Sequence, residues 1–252
     1  MNSLDRDKIT DIKKKMVILS NRMPFSAEIK SYFADIERQD WLKANIKISG
    51  SSMTDNQIEM MACDEICLNL PVSEHVRARR ISDLLEDMYG FIRMQRSLDL
   101  NLIDCMYRII SGTETYRSYR KRSTILREIE YTPPLPSEIP QKMQQLASEI
   151  INAGDTGRFS EKVFENAALI HNRIVEICPY PYNESNKLLA RAAASYYLMS
   201  KGFPAVTVNL KEQEYNSAIV NYIKKGNSCD MVNAWIQAVH ERIKLMIQLT
   251  VY

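Results

Sequence analysis

Apolar and polar residues alternate along this chain with a helical period for most of its length. In residues 4–23 the apolar positions Ile9, Ile12, Met16 and Leu19 recur at steps of three and four, which places them on one face of an amphipathic helix. A second helix is predicted after Pro24, with Ser26 as its N-cap and Ile29, Tyr32, Phe33 and Ile36 along one side. The polar cluster at 51–56 interrupts the pattern. Helix resumes over 57–70 and stops before Pro71. Residues 74–96 predict one long helix. Residues 97–111 predict another, capped at Ser97 and ended by Gly112. The period then breaks. Residues 113–134 are rich in Thr, Tyr, Ile and Arg with partial alternation, and end in Pro133-Pro134, which predicts a β-hairpin or extended flap. Helices follow over 136–154 and, behind Ser160, over 161–177. A non-helical loop then leads into a helix that runs to Lys201 and is stopped by Gly202, Phe203 and Pro204. A short β-like run, "AVTV", and two final helices complete the pattern. The fold class is therefore all-α, with an N-terminal helical extension over 1–44 and a main domain over 45–252.

Composition narrows the function classes. A chain of 252 residues can bury a sizeable core. Its 33 basic and 31 acidic residues leave a net charge of +2, too balanced for nucleic-acid binding driven by charge. No apolar run approaches the length of a membrane span, and residues 1–10 carry no signal-peptide pattern, so the expected location is cytoplasmic. Five scattered cysteines suit reduced thiols. Cys63 and Cys67 have no histidine or second cysteine pair near them in sequence, so they predict no zinc site.

The candidate chemistry lies in the loop "ICPYPYNESNKLLAR", residues 177–191, where polar and basic groups crowd a helix start, the place where an anion would sit. Within it, "YPYNESNKLLAR" resembles the active-site loop of the Fic (Fido) family, His-Pro-Phe-x-Asp/Glu-Gly-Asn-Gly/Lys-Arg-x-x-Arg. Pro181 matches the proline, Tyr182 the aromatic, Glu184 the acid, Asn186 the asparagine, Lys187 the allowed lysine and Arg191 the second arginine. Tyr180 stands in the histidine's place, Ser185 in a glycine's, and Leu188 in the first arginine's. A second register competes: "HNRIVEICPY" resembles the helix entering the family loop, and there Cys178 takes the histidine's place. Both hold if the loop carries a two-residue insertion. In neither is the histidine present.

Other stretches resemble the family in the same order along the chain. "SSMTDN" is similar to its inhibitory motif, with Ser51 and Asn56 matching and Asp55 standing for the glutamate. "TYRSYRKR" looks like its flap, including Tyr116, Arg117, Tyr119 and Arg120, and "SKGFPAVTV" and "EYNSAIVNYIKKGN" look like later landmarks. The resemblance implies a Fic-type helical bundle, transfer of AMP from ATP to a protein hydroxyl, and a target protein laid along the flap. It also implies particular residue roles. Glu184 would hold magnesium, Ser185, Asn186, Lys187 and Arg191 would hold the nucleotide phosphates, and Asp55 would pair with Arg191 to block the terminal phosphate. The proton acceptor is missing. A Tyr180 phenolate at pH 7 costs about 4 kcal/mol, and Cys178 is better suited to nucleophilic attack than to proton relay. Three readings follow: a degenerate Fic protein that retains a phosphate-binding cleft, a transferase of altered chemistry using Cys178 or Tyr180, or a helical interaction module.

Overall fold

Helix formation follows the predicted periodicity closely over residues 5–115 and 119–250, the part of the chain that the computed structural model describes. The helices in order are α1 (Arg6–Arg22), α2 (Ala27–Lys47), α3 (Asp55–Ala62), α4 (Val72–Arg93), α5 (Leu100–Ser111), α6 (Ile139–Gly154), α7 (Lys162–Ile177), α8 (Asn183–Ser200), α9 (Glu212–Lys225) and α10 (Cys229–Leu249). Two short 3-10 turns, Arg127–Ile129 and Pro136–Glu138, precede α6. None of these helices is long and apolar enough to cross a membrane.

α8 is the axis of the molecule. It is buried from Asn186 to Met199, because Ala190 and Ala192 to Ala194 let neighbouring helices approach closely. α7 and α5 pack along it and α4 crosses it, while α10 covers the far side of α7. α1 lies beside α10 and runs parallel to it. The Asp5 N–H donates to Asn233 (3.2 Å), His240 Nε2 meets Asp11 (2.6 Å), and Arg22 donates to Ile247 O and Thr250 (both 2.8 Å). The apolar face predicted for α1 is the one it buries: Ile9, Ile12, Met16 and Leu19. Each such side chain contributes about 1.5–3 kcal/mol on leaving water.

Several boundaries move for identifiable reasons. Ser26 caps α2 as expected, yet α2 buries Glu37, Trp41, Leu42, Asn45 and Ile46 instead of its first two turns, where Tyr32 is exposed. The helix expected over 57–70 stops at Ala62, because Asp64 takes a left-handed conformation (φ 60°). Asp99, not Ser97, caps α5 by accepting from Leu102 N–H at 2.7 Å, and Gly112 ends it in the left-handed region. No strand forms among the described residues. In place of the expected hairpin there is one antiparallel bridge, Leu126 to Tyr131, around the Arg127–Ile129 turn and left-handed Glu130. The preceding backbone bonds elsewhere, with the Arg120 N–H donating to Pro179 O (2.9 Å). Tyr116 and Arg117 lie outside the described residues. The "AVTV" run is non-helical and unpaired.

Candidate functional site

Two side chains, Arg120 and Asn186, satisfy backbone groups of the loop between α7 and α8. α7 ends at Cys178, which adopts the left-handed conformation (φ 46°) and returns its N–H to Ile174 O. Turned this way, the Cys178 carbonyl accepts from Arg120 Nε at 2.8 Å. Arg120 also donates to the carbonyls of Arg122 (3.0 Å) and Pro134. Asn186, inside the first turn of α8, closes the other end. Its Nδ2 donates to Tyr180 O and Tyr182 O, both at 2.8 Å, and its Oδ1 accepts from Tyr180 N–H at 3.0 Å. Thr124 Oγ1 to Asn183 Oδ1 (3.3 Å) ties the former flap region to the same helix start. The loop is thus held from both sides by groups with little freedom.

Neither candidate for the missing histidine is placed as a base. Tyr180 is buried and stacks on Tyr107, with ring centroids 3.7 Å apart and planes 8° from parallel, and it tilts against Tyr119. Its hydroxyl donates to Asp104 Oδ1 (3.3 Å), whose other oxygen pairs with Arg108 (3.3 Å). Burial and the Asp104 carboxylate both push the Tyr180 phenol well above its ordinary range. Cys178 is buried as well. Desolvation raises its thiol to about 11, against the pull of Arg120 and Lys187, and Sγ sits 3.5 Å from Asn183 Oδ1. His171 is fully buried between Asn172 (3.0 Å) and the Tyr215 hydroxyl (2.8 Å), and burial pushes it down to about 3. It is a packed, neutral core histidine.

The cations are placed differently. Lys187 is buried, 3.0 Å from Glu184 and 3.8 Å from Glu128. Burial would lower its pKa, but the Glu184 carboxylate outweighs that and raises it. Glu184 itself is exposed on the first turn, and Ser185 is half-buried beside it. Arg191 is 1% exposed, donates from Nε to Asn45 Oδ1 at 2.7 Å, and lies over the Tyr215 ring at 5.3 Å. Its Nη1 is buried without a hydrogen-bond partner. The N-terminus of α8 carries no side-chain cap, and its N-cap residue, Tyr182, is exposed. The uncapped helix start thus carries two buried cations, Lys187 and Arg191, within its first three turns. Among the described residues no three His, Cys, Asp or Glu side chains converge as a metal site, so magnesium would have the single carboxylate of Glu184 and otherwise phosphate oxygens.

The expected Asp55–Arg191 pair does not form. Thr54 caps α3 and Gln57 completes a capping box, which leaves Asp55 at the surface. There it pairs with Lys43 (2.6 Å) and Lys47 (3.1 Å). Ser51 serves its own turn, accepting from Met53 N–H at 3.3 Å, and Asn56 is exposed. The group that meets Arg191 is Asn45 of α2. Sequence reading missed it, although a polar residue on the buried face beside Trp41 and Ile46 is a visible signal. Asp104 and Tyr107, which hold Tyr180, were missed too. Of the predicted set, the fold brings Cys178, Tyr180, Glu184, Ser185, Asn186, Lys187 and Arg191 to one place, with Arg120 and Tyr119 against it, and leaves Ser51, Asp55 and Asn56 elsewhere.

Comparison with known proteins agrees with this fold. Residues 97–198 match the family model described as Fic/DOC. A curated relative, the protein adenylyltransferase Fic of Nematostella vectensis, is 22% identical over 226 residues, which cover 88% of this chain. The chain spans about half (50%) of that relative's length. Among solved structures, a Fic-domain-containing signaling protein from Bacteroides thetaiotaomicron superposes with a TM-score of 0.80 at 18% identity, covering 96% of this chain and 97% of that one. Fic-1 of C. elegans superposes with a TM-score of 0.76 at 15% identity, covering 97% and 72% respectively.

Proposed function

We infer, from the match of residues 97–198 to the Fic/DOC family model, that this chain binds a nucleotide polyphosphate at the N-terminus of α8 and transfers no AMP through a loop-borne base. The observation that carries the reading is Arg191: a buried guanidinium on the third turn of an uncapped helix, with Nη1 unpartnered. A phosphate oxygen is the ligand such a group takes, since an unpaired buried donor keeps its full desolvation cost. Lys187 supplies a second cation at the helix start. Glu184 would hold the nucleotide's magnesium, which when bound neutralises phosphate charge. To do so Glu184 must exchange its contact with Lys187 for the metal.

Transfer to a hydroxyl needs a proton acceptor, and the loop provides none. The Tyr180 hydroxyl is engaged as a donor to Asp104, and the Cys178 thiol is protonated at neutral pH. Leu188, buried where the family motif has its first arginine, gives up one phosphate contact besides. These features support a nucleotide-dependent binder in which occupancy of the α8 start, and not turnover, is the output. Calorimetry with ATP and magnesium tests the first half. Saturable heat with a Kd between about 1 μM and 1 mM is expected, weakened about tenfold or more in Arg191→Lys. No heat at millimolar nucleotide would remove the reading. Labelled-ATP incorporation tests the second half: no label above background is expected, and label that disappears in Tyr180→Phe or Cys178→Ala would overturn it.

A further inference from the structure

On the side of α2 that faces α10, a half-open cleft of about 340 Å³ lies between the two helices and the segment 205–209. That volume is at the lower end for ligand clefts. The cleft stands apart from the α8 start, and no residue of the predicted site lines it. Trp41, Ala44, Ala238 and Leu245 make its apolar surface, and its polar groups are ordered along its length. Glu37 and Asp40 of α2, with Glu241 of α10, sit toward one end, where Arg242 reaches Asp40 at 2.9 Å. Lys43 and Lys47 sit toward the other. Glu37 and Lys47 are ten helical positions apart, or about 15 Å.

The wall at 205–209 has a strand's sequence and no strand partner. Ala205, Val206, Thr207 and Val208 are the β-prone "AVTV" run, yet residues 204–210 make no backbone–backbone hydrogen bond among the described residues. The Glu37 carboxylate lies beside the Ala205 backbone and accepts from the Tyr89 hydroxyl, and the Val206 N–H is taken by Ser195 Oγ (3.3 Å). Beyond them, Thr207 lines the cleft with Oγ1 buried and unpartnered, in a residue only 8% exposed. A buried hydroxyl without a partner is uncommon in a folded protein and points to a polar group that completes it. The run has a direction too. It starts at Glu37 and leads toward Glu212, whose carboxylate lies against Gly50 just past the end of α2, so it travels from the acidic end to the basic end.

We propose that this cleft binds a short extended peptide by strand addition to residues 205–209, its ammonium toward Glu37 and Asp40 and its terminal carboxylate toward Lys43 and Lys47. In that orientation the peptide runs parallel to the 205–209 wall. Backbone pairing supplies the affinity of such a mode, and the opposed charges fix the direction. About four residues at ~3.3 Å each span the charged ends. Asp55, which bridges Lys43 and Lys47 from the outer side, competes with the peptide carboxylate.

The probe is the free tetrapeptide threonyl-valyl-threonyl-valine, whose only charges are its termini. Titrated into isotope-labelled full-length protein, it is expected to shift the amides of residues 205–209 and to saturate at or below about 10 mM. Acetylation and amidation of the same peptide should weaken binding about tenfold, as should the Lys43→Ala/Lys47→Ala double variant, while Asp55→Ala should strengthen it several-fold. The blocked peptide is compared on the unaltered protein, so the result does not depend on any variant folding. The proposal is overturned if the 205–209 amides do not move at about 10 mM, if the blocked peptide binds as well as the free one, or if glycine alone matches the tetrapeptide. None of these readouts involves nucleotide, so its outcome is separable from that of the α8 site.

Discussion

Two non-helical segments bracket α8, and they treat their polar groups in opposite ways. The incoming loop is tied down: Arg120 takes the Cys178 carbonyl, and Asn186 takes two more together with an N–H. Its Tyr180 is stacked and hydrogen-bonded inside the core. Among the described residues, the outgoing segment at 204–210 makes no backbone–backbone hydrogen bond, gives the Val206 N–H to Ser195, and leaves Thr207 Oγ1 unmatched. Both stretches carry features that resemble one family, and only one of them keeps its backbone to itself. The difference shows that a motif's position does not tell how available it is. Availability depends on whether neighbouring side chains have already satisfied the groups that a ligand would need.

The comparison can be broken first at Arg120. Arg120→Ala strips donors from the loop carbonyl of Cys178 and from the carbonyls of Arg122 and Pro134 beside it, and a loss of about 3–5 kcal/mol in urea unfolding is expected. A loss under about 1 kcal/mol would mean that the loop is not held this way. Next is His171, kept neutral by burial. Its folded pKa of about 3 lies below the unfolded value, so its contribution is complete above about pH 6.5 and is lost as pH falls toward 3. Urea midpoints should therefore drop through that window by up to about 1.4 kcal/mol per pH unit from this group, and His171→Gln should flatten the slope. Tyr180→Phe removes one hydrogen bond to Asp104 and keeps the stack, so about 1–2 kcal/mol is expected, with nucleotide heat unchanged. The smallest effect belongs to the open segment. Thr207→Val replaces an unmatched hydroxyl by an isosteric methyl and should change the unfolding free energy by less than about 1 kcal/mol, in the stabilising direction.

Much of the fold was readable because it depends on periodicity. α1 buries the four residues its spacing picks out, Ser26 and Gly112 mark helix ends, and α7 and α8 flank the loop as expected. The misreadings arose where tertiary contacts decide the outcome. The stretch around residues 119–126 has hairpin-like composition, but its first available N–H goes to Pro179, and no local signal announces that partner. Asp55 has the right chemistry to meet Arg191, but the Thr54–Gln57 capping box turns it to the lysines of α2. Asn45, which does meet Arg191, lies 146 positions away in sequence. Position in a motif picked out Tyr180 and Cys178, and the fold puts both in the loop between α7 and α8. Whether they face solvent depends on Asp104, Tyr107 and Arg120, which the motif does not contain.

The parallel seating of α1 on α10 has a kinetic consequence. A helix hairpin can close as soon as its second arm forms, but these two rods meet through residues 228 positions apart. At about 5–20 residues per second of synthesis, the oily stripe of α1 waits roughly 10–50 s before its mate emerges. During that interval Ile9, Ile12, Met16 and Leu19 are bare on a nascent chain, a natural landing place for a chaperone.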